Sequence, residues 1–381
     1  MRRSTKACGF LLLAAALVTG CRRAPPAAST SAPVRLVGRF AGSRFAWSAS
    51  SVVARVTGTR SVSVELKVPV LAPHTVTIDG GPVSLDEKVV PYTVLVDDRP
   101  AITFDVSPDR LRYTLVSDLD PQTTHQIRVV REVEAFAGVH ELGRLVVDEG
   151  GRILEPSPPR LRLELVGDSI MCGYGVLGAN ATCPFTYATE RATLAYPFLV
   201  ARALDADLSL ACWSGRGVYR NYGGDSVDTM PDLYERSLPE PPATAFGFDG
   251  PPPDAVVIAL GTNDFLGGGG KPPDLAAYEE AYVAFLRKVR ARRPAATIVV
   301  ATNSPMIAPP RRATFAATMD RVIARRRSEG EGSAALVTVD LEDERDRVGC
   351  DGHPNAEMHA ILAKQVLEAL RRSAVLPSRM P

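Results

Sequence analysis

After residue 160 the sequence alternates short apolar, strand-like runs with longer helical stretches, and this alternation constrains the fold more than any other feature. The strand-like runs are Leu161–Val166, Ala255–Leu260, Thr297–Ala301 and Ala335–Val339. Residues 274–293 place apolar residues such as Phe285 and Val289 at four-residue spacing, which is typical of one face of a helix. Strands that alternate with helices predict a three-layer α/β/α domain built on a parallel sheet.

Residues 34–151 show a different pattern, with short strand-like segments separated by turn residues. The segments are Ser61–Val68, Thr75–Ile78, Tyr92–Val96, Ala101–Val106, Arg112–Val116 and Gln126–Val133. Because no helical period runs through this region, we expect a β-sandwich with a jelly-roll-like arrangement. The proline-rich stretch Glu155–Pro159 marks the boundary, so the α/β domain is expected to cover residues 160–375.

The first 33 residues have the layout of an export signal. Arginines and a lysine precede a short apolar run, Phe10–Val18, which is too short to span a bilayer and predicts a signal peptide at residues 1–20. The run ends in Val18-Thr19-Gly20-Cys21, which resembles a bacterial lipobox and implies lipid modification of Cys21. An ordinary secretory signal with an incidental cysteine is the alternative. The Ala-, Pro- and Ser-rich residues 21–33 predict a flexible tether.

Charge and cysteine usage exclude some classes of function. Lysines and arginines number 44 against 43 acidic residues, so the chain lacks the basic surplus expected of a nucleic-acid-binding protein. The sequence contains no CxxC pair and no histidine-rich cluster, so it predicts no metal site. Cys8 lies in the predicted signal peptide and Cys21 is the predicted lipidation site, so four of the six cysteines remain. Export permits disulfides among these four. Cys172 and Cys183 bracket one loop and are the first expected pair, whereas Cys212 and Cys350 either pair or stay as buried thiols.

Ser169 follows the strand-like run that ends at Gly167. Ligands of open α/β sheets bind at the carboxyl ends of the strands, so this serine is a candidate nucleophile. A GxSxG nucleophile elbow is excluded, because Met171 stands where that motif has glycine. The alternative is a plain helix cap, since Asp168 and Ser169 are both favoured cap residues.

Three further segments carry polar or glycine residues that complete a pattern with Gly-Asp-Ser. They are Trp213-Ser214-Gly215-Arg216-Gly217, Gly261-Thr262-Asn263-Asp264 and Cys350-Asp351-Gly352-His353-Pro354. In this order the four blocks resemble those of SGNH (GDSL-like) hydrolases. The resemblance implies Ser169 as nucleophile, His353 as general base, and an oxyanion hole made by the N–H groups of Ser169 and Gly215 and the side-chain amide of Asn263.

The residue that orients His353 is left open by the sequence. The commonest SGNH pattern has aspartate three residues before the histidine, and this chain has Cys350 there. Asp351 is the candidate acid of a Ser–His–Asp triad. The alternative is a Ser–His dyad whose histidine is held by a backbone carbonyl, because the acid mainly fixes tautomer and orientation. His359 is a second candidate base, but its position inside the C-terminal helical stretch favours a structural or solvent-exposed role.

A β-sandwich before an SGNH domain, together with Thr189-Glu190 and Tyr219-Arg220-Asn221, resembles family-two carbohydrate esterases. The resemblance implies a cofactor-free and metal-free serine esterase that removes O-acetyl groups from polysaccharides such as xylan or glucomannan. Trp213, Tyr219 and Tyr222 are then candidate sugar-stacking residues, with core packing as the alternative. Two other functions remain: a carbohydrate-binding lipoprotein with weak or no catalysis, and a broader lipid or aryl esterase.

Overall fold

The computed structural model describes residues 33–70, 73–78, 81–240, 242–341, 347–373 and residue 375. The predicted signal peptide at 1–20, the predicted lipidation site Cys21 and the tether up to residue 32 lie outside these residues. Within the described ranges, no helix is both long enough and apolar enough to cross a bilayer.

The first part of the chain consists of strands and one 3-10 turn, Ala135–Ala137. The strands are β1 Arg35–Val37, β2 Phe40–Ala41, β3 Arg44–Phe45, β4 Ser51–Thr57, β5 Val62–Lys67, β6 His74–Ile78, β7 Gly81–Leu85, β8 Val90–Val96, β9 Ile102–Val106, β10 Arg112–Val116, β11 Thr124–Arg131, β12 His140–Val147 and β13 Arg152–Leu154. One sheet has the order β1-β4-β11-β8-β9, with β13 also paired to β4, and the other has the order β10-β5-β12-β3-β2. All of these pairings are antiparallel.

The two sheets pack face to face, which confirms the predicted β-sandwich. Tyr92 on β8 donates or accepts a 2.7 Å hydrogen bond with Nδ1 of His140 on β12, and the two rings stack. Phe104 of the first sheet packs on Tyr113 of the second. Burial also alternates along β5, where Val62 and the next inward-facing residues are buried, as a strand with one core-facing side requires.

The second part of the chain alternates strands and helices. Its elements are β14 Leu161–Gly167, α1 Ser169–Cys172, α2 Tyr196–Ala203, β15 Ala206–Cys212, α3 Met230–Leu233, β16 Arg236–Leu238, β17 Thr244–Ala245, β18 Ala255–Ala259, α4 Thr262–Leu266, α5 Leu275–Arg292, β19 Thr297–Ala301, α6 Arg311–Ser328, β20 Leu336–Val339 and α7 Ala356–Arg372, with 3-10 turns at Tyr187–Thr189, Ala192–Leu194, Gly268–Gly270 and Cys350–Gly352. The five-stranded sheet β15-β14-β18-β19-β20 is parallel throughout.

Helices cover both faces of this sheet and produce the predicted three-layer domain. On β14, Leu163 and Leu165 face a core that includes α2 and α7, whereas Val166 faces the core that includes α5 and α6. Near-continuous apolar strands are therefore buried on both sides, as expected of a parallel sheet. The sequence patterns missed strand β15. The buried face of α5 includes Phe285 and Val289, as their spacing predicted, together with Tyr278 and Tyr282.

The strand order places a topological switch point at the centre of the sheet. The chain leaves β14 to form β15 on one side, and then returns to form β18 on the other side of β14. The connections that follow β14 and β18 therefore leave in opposite directions and open a crevice at the carboxyl ends of these strands, where open α/β sheets bind ligands. Ser169 and Asn263 lie directly after these two strands.

A buried charge cluster joins the sandwich to the α/β domain. Arg39 of the sandwich is fully buried and donates a 2.7 Å hydrogen bond to Glu164 on β14, and Arg293 donates to the other carboxylate oxygen at 2.6 Å. Nearby, the rings of Trp47 and Trp213 meet edge to face. One hydrophobic core thus runs through residues of both parts of the chain.

The disulfides differ from the first predicted pairing. Cys172 bonds to Cys212, and Cys183 bonds to Cys350. The prediction of a Cys172–Cys183 bridge was wrong because closeness along the chain was taken for closeness in space. Cys172 follows β14 and Cys212 ends the neighbouring parallel strand β15, so the sheet brings these two together.

Candidate active site

Ser169 begins the short helix α1 directly after strand β14. The Asp168 side chain accepts a 3.2 Å hydrogen bond from the Ile170 N–H and caps this helix. The helix ends at Gly173 after one turn. Asp168 therefore caps the helix, as one interpretation of the sequence predicted. Ser169 lies in the first turn of this helix, at the carboxyl edge of the sheet.

His353 lies across from Ser169 and contacts it directly. Its Nε2 is 2.9 Å from the Ser169 Oγ, and both residues are fully buried. The histidine follows the 3-10 turn Cys350–Gly352 and is fixed there by backbone hydrogen bonds between its N–H and the Cys350 carbonyl and between its carbonyl and the Gly349 N–H. A serine hydroxyl within hydrogen-bond reach of an imidazole is the geometry required of an activated nucleophile.

The contact that the structure shows for the Asp351 side chain is with Tyr174, and the triad role of Asp351 stays a prediction. Its Oδ2 accepts a 2.6 Å hydrogen bond from the Tyr174 hydroxyl, and the residue is exposed whereas His353 is buried. The Tyr174 ring packs against the His353 ring, with centroids 4.2 Å apart. Asp351 has φ +54° in the tight turn Cys350–Gly352, which directly precedes His353. The turn directs the Asp351 side chain toward Tyr174 and leaves the His353 side chain buried. Tyr174 consequently connects the acid to the histidine through packing.

His359 occupies a structural position in helix α7. It is fully buried, its Nδ1 accepts the Tyr196 N–H at 3.2 Å, and its ring stacks on Tyr196. Burial, with a smaller contribution from His353, lowers the pKa of His359 to about 3. The imidazole is therefore neutral at physiological pH and already used as a hydrogen-bond acceptor.

Gly215 lies in the loop after β15, and Asn263 lies in helix α4 after β18. The Trp213 N–H donates to the carbonyl of Gly167, two residues before Ser169. Gly215 has φ +77°, a conformation that glycine adopts without strain. The Asn263 Nδ2 donates a 2.9 Å hydrogen bond to the Arg216 carbonyl. A primary amide has two N–H groups, so one is left for another acceptor.

Asp264 of helix α4 organises the loop after β15, a role that the sequence analysis did not assign. Its buried carboxylate accepts backbone N–H groups from Val218, Tyr219 and Arg220 at 2.8–3.0 Å. Burial raises the pKa of this carboxyl above its usual value, although the three N–H groups favour the charged form. Asp264 therefore ties the glycine-containing loop after β15 to helix α4.

The three candidate sugar-stacking residues are placed differently from one another. Trp213 is only 8% exposed and packs between Trp47 and the guanidinium of Arg216, so core packing prevails for it. Tyr219 and Tyr222 are half-buried. The Tyr222 N–H donates to the Gly215 carbonyl at 2.8 Å, which places this tyrosine next to the predicted oxyanion loop.

Among the described residues, one group has metal-ligand atoms close enough to share an ion. Glu134, Cys172 and Glu190 offer ligand atoms within 4.8 Å of one another. The Cys172 sulfur is bound to Cys212 and offers no thiolate, which is the form that binds metals. The carboxylates of Glu134 and Glu190 are then the only ligand groups left in this cluster.

A parallel α/β sheet that carries a serine–histidine pair and nearby amide donors at its carboxyl edge defines the class of serine ester hydrolases. The chain belongs to the GDSL-like lipase/acylhydrolase family, whose model matches residues 165–361, more than half of the sequence. A second model, carbohydrate esterase 2 N-terminal, matches residues 36–158. The resemblance inferred from the four sequence blocks is thereby confirmed.

Several known proteins are similar to this chain. The cellulase/esterase CelE of Acetivibrio thermocellus is 27% identical over 330 residues, or 87% of this chain, but the chain spans only 38% of CelE. An acetylxylan esterase/glucomannan deacetylase of Cellvibrio japonicus is 28% identical over 253 residues, covering 65% of this chain and 67% of that protein. A family two carbohydrate esterase from Clostridium thermocellum, solved in complex with cellohexaose, is 26% identical with a TM-score of 0.77, covering 89% of this chain and 98% of that one.

Proposed function

We propose that this protein is an extracytoplasmic serine esterase that removes O-acetyl groups from plant-type polysaccharides such as xylan or glucomannan. The observation that carries the proposal is the 2.9 Å contact between Ser169 Oγ and His353 Nε2 at the switch point of the sheet. The relatives that are named for acetylxylan and glucomannan support the substrate class. The chain spans only 38% of CelE, so the cellulase activity in that protein's name is not part of this proposal.

The geometry supports a two-step acyl transfer. His353 Nε2 takes the proton as Ser169 Oγ attacks the acetyl carbonyl, and the Asn263 amide with the N–H groups of Ser169 and Gly215 stabilise the oxygen that becomes negative. Collapse breaks the bond to the sugar oxygen, which leaves with the proton from His353. Water then repeats the sequence on the acetyl-serine, releasing acetate and restoring the serine.

The substrate proposal is tested by following acetyl groups directly. Time-resolved NMR should show loss of acetyl signals from acetylated xylan or glucomannan with release of one acetate per group removed. Ser169→Ala is the matched control, since it deletes only the nucleophilic oxygen. Faster turnover of long-chain lipid or aryl esters than of any acetylated polysaccharide would instead establish the broader esterase, and sugar binding without acetate release would establish the carbohydrate-binding lipoprotein.

We further propose that the mature protein is attached to the cell envelope through a lipid on Cys21. The support is sequence alone, namely the Val18-Thr19-Gly20-Cys21 segment and the proline-containing tether after it. Stable anchoring needs more than one acyl chain, and the lipoprotein modification supplies several. Mass spectrometry of the mature N-terminus should find a lipid-modified cysteine, and an unmodified N-terminus in the wild type would refute the anchor.

A further inference from the structure

Glu134 lies in the sandwich part of the chain, yet its side chain reaches the loop that carries Gly215. One carboxylate oxygen accepts the Ser214 N–H at 2.6 Å, and the other accepts the Ser214 hydroxyl. Both residues are almost completely buried. Ser214 directly precedes Gly215, so the carboxylate acts on the peptide unit next to the one whose N–H is proposed to bind the oxyanion.

The segment that carries Glu134 is itself fixed. The fully buried Arg131 guanidinium donates to the carbonyls of Val133, Glu134 and Gly138 at 2.8–2.9 Å. This anchors the 3-10 turn that Glu134 precedes. A side chain on such a braced segment is preorganised, which is the condition for holding a catalytic group in place.

A second buried acid, Glu190, lies against the segment that carries Glu134. Glu190 accepts the Glu134 N–H at 3.4 Å. Burial and the charge of Glu134 raise the pKa of Glu190 well above its usual value. The backbone of Glu134 is thus held by Glu190, while the carboxylate of Glu134 accepts the two donors of Ser214.

From this geometry we propose that Glu134 is a positioning residue of the esterase site, through which the sandwich holds the Gly215 N–H in the oxyanion hole. The inference rests on the proposed function. On this proposal the β-sandwich helps to position an oxyanion donor, in addition to any role in binding polysaccharide.

Glu132 provides a matched control two residues away. Its carboxylate also crosses from the sandwich to the α/β domain, accepting the Thr193 N–H at 2.8 Å and the Thr193 hydroxyl at 2.6 Å. Glu132 is equally buried. Thr193 lies in the 3-10 turn Ala192–Leu194, away from Gly215 in the sequence. The two glutamates therefore make the same kind of contact and differ in what they hold.

The experiment compares Glu134→Gln with Glu132→Gln in the full chain, using acetate release to obtain kcat and KM and thermal unfolding to monitor folding. The glutamine amide keeps one acceptor oxygen for the Ser214 N–H and replaces the other oxygen with an NH2 group, so the Ser214 hydroxyl has to reverse its hydrogen bond and accept. Removal of an oxyanion donor lowers kcat by about 10²–10³-fold. Because Gly215 is displaced rather than deleted, Glu134→Gln should lower kcat by roughly 10- to 100-fold with KM within about twofold. Glu132→Gln should leave kcat within about twofold.

Ser214→Ala keeps the test decisive if Glu134→Gln fails to fold. It removes the hydroxyl donor and keeps the N–H, so kcat should fall by about three- to tenfold at unchanged KM. Where both variants fold, the double variant should lose little more than Glu134→Gln alone. Equal kcat losses in Glu132→Gln and Glu134→Gln, or a Ser214→Ala enzyme with wild-type kcat, would overturn the inference alone. A wild-type protein that releases no acetate would overturn both this inference and the proposed function.

Discussion

At the scale of single residues, Tyr174 is a direct neighbour of His353. Its ring packs on the imidazole and its hydroxyl donates to Asp351, and on its other side it stacks on Phe185. Ring packing fixes the plane of the imidazole, which is one of the functions that the acid performs in a triad. Asp351 is thus linked to the histidine through Tyr174.

This arrangement predicts a small effect of Asp351→Asn. Asparagine retains an oxygen that accepts the Tyr174 hydroxyl, so kcat should fall by about tenfold or less, as a modest displacement of the base gives. Tyr174→Phe, which deletes the hydroxyl and keeps the ring, is the matched control and should behave similarly. A loss of about four orders of magnitude in Asp351→Asn would instead show a direct triad. Initial rates of acetate release distinguish the two results.

His359 predicts a specific pH dependence of stability. The unfolded chain binds a proton near pH 6.5 that the folded chain accepts only at about pH 3. The stabilisation is therefore complete above pH 6.5, and the free energy of unfolding falls as the pH drops toward 3. At pH 5 this one group contributes about 2 kcal/mol of destabilisation.

The variant His359→Asn tests that dependence, because its amide oxygen accepts the Tyr196 N–H and does not titrate. Urea unfolding at pH 7 and pH 5 should show a pH-dependent loss smaller by about 2 kcal/mol than in the wild type. Equal losses in the two proteins would show that His359 is not the titrating group.

At the scale of elements, the loop after β15 is shaped by Gly217 and Asp264. A Cβ on Gly217 would lie 2.0 Å from the Arg220 carbonyl oxygen and 2.6 Å from Asp264 Oδ2. The loop therefore folds back on itself too tightly for any side chain there. The acid that caps it belongs to the block that also supplies Asn263, so both oxyanion segments depend on the same contact.

Gly217→Ala should consequently disrupt the oxyanion hole. We expect at least a 10²-fold loss of kcat and a destabilisation of about 1–3 kcal/mol from overpacking. Gly250→Ala is the control, because a Cβ there meets nothing within 4 Å. Near-normal turnover by Gly217→Ala would contradict the tight loop described here. Steady-state kinetics and denaturant unfolding of the two variants provide the measurement.

At the scale of the whole molecule, the sandwich and the α/β domain share a core and a buried charge cluster. Glu164 lies between two buried arginines, Arg39 and Arg293. The Arg39 guanidinium also lies over the Phe246 ring, 4.4 Å from its centroid. Removing the acid would leave two buried cations without their carboxylate, and breaking a buried pair in this way typically costs about 3–5 kcal/mol.

Glu164→Gln should therefore lower the stability of both parts together. We expect calorimetry to show one cooperative transition in the wild type and in the variant, with the variant destabilised by about 3–5 kcal/mol. Glu235, which pairs with Lys288 and Arg292 at the surface, offers a partly exposed comparison, and Glu235→Gln should cost about 1 kcal/mol or less. Two separated transitions in the wild type would contradict the shared core.

Much of this architecture is readable from sequence because local patterns determine it. The six strands predicted in the sandwich correspond to β5, β6, β8, β9, β10 and β11 within two residues at each end, since alternation and turn residues act over short ranges. The position of Ser169 after a buried strand was also predictable. Contacts between distant segments were not.

The Cys183–Cys350 bridge spans 167 residues, and Glu134 meets Ser214 across 80. Neither segment carries a local signal of its partner, because both contacts exist only once the sheets have packed. The same reason applies to Asp351, whose direction depends on a turn held by the Cys183–Cys350 disulfide. Asp264 is the intermediate case: its block was recognised, but the loop that it holds could be seen only in the fold.

The most direct test of the account is whether Ser169 and His353 act as one catalytic unit. The rate of acetate release should be measured for wild type, Ser169→Ala, His353→Ala and the double variant on one acetylated substrate. Because nucleophile and base work in the same step, each single variant should lose nearly all activity and the double variant little more than either. Single losses that add on a logarithmic scale, or turnover by Ser169→Ala comparable to wild type, would contradict the proposed mechanism.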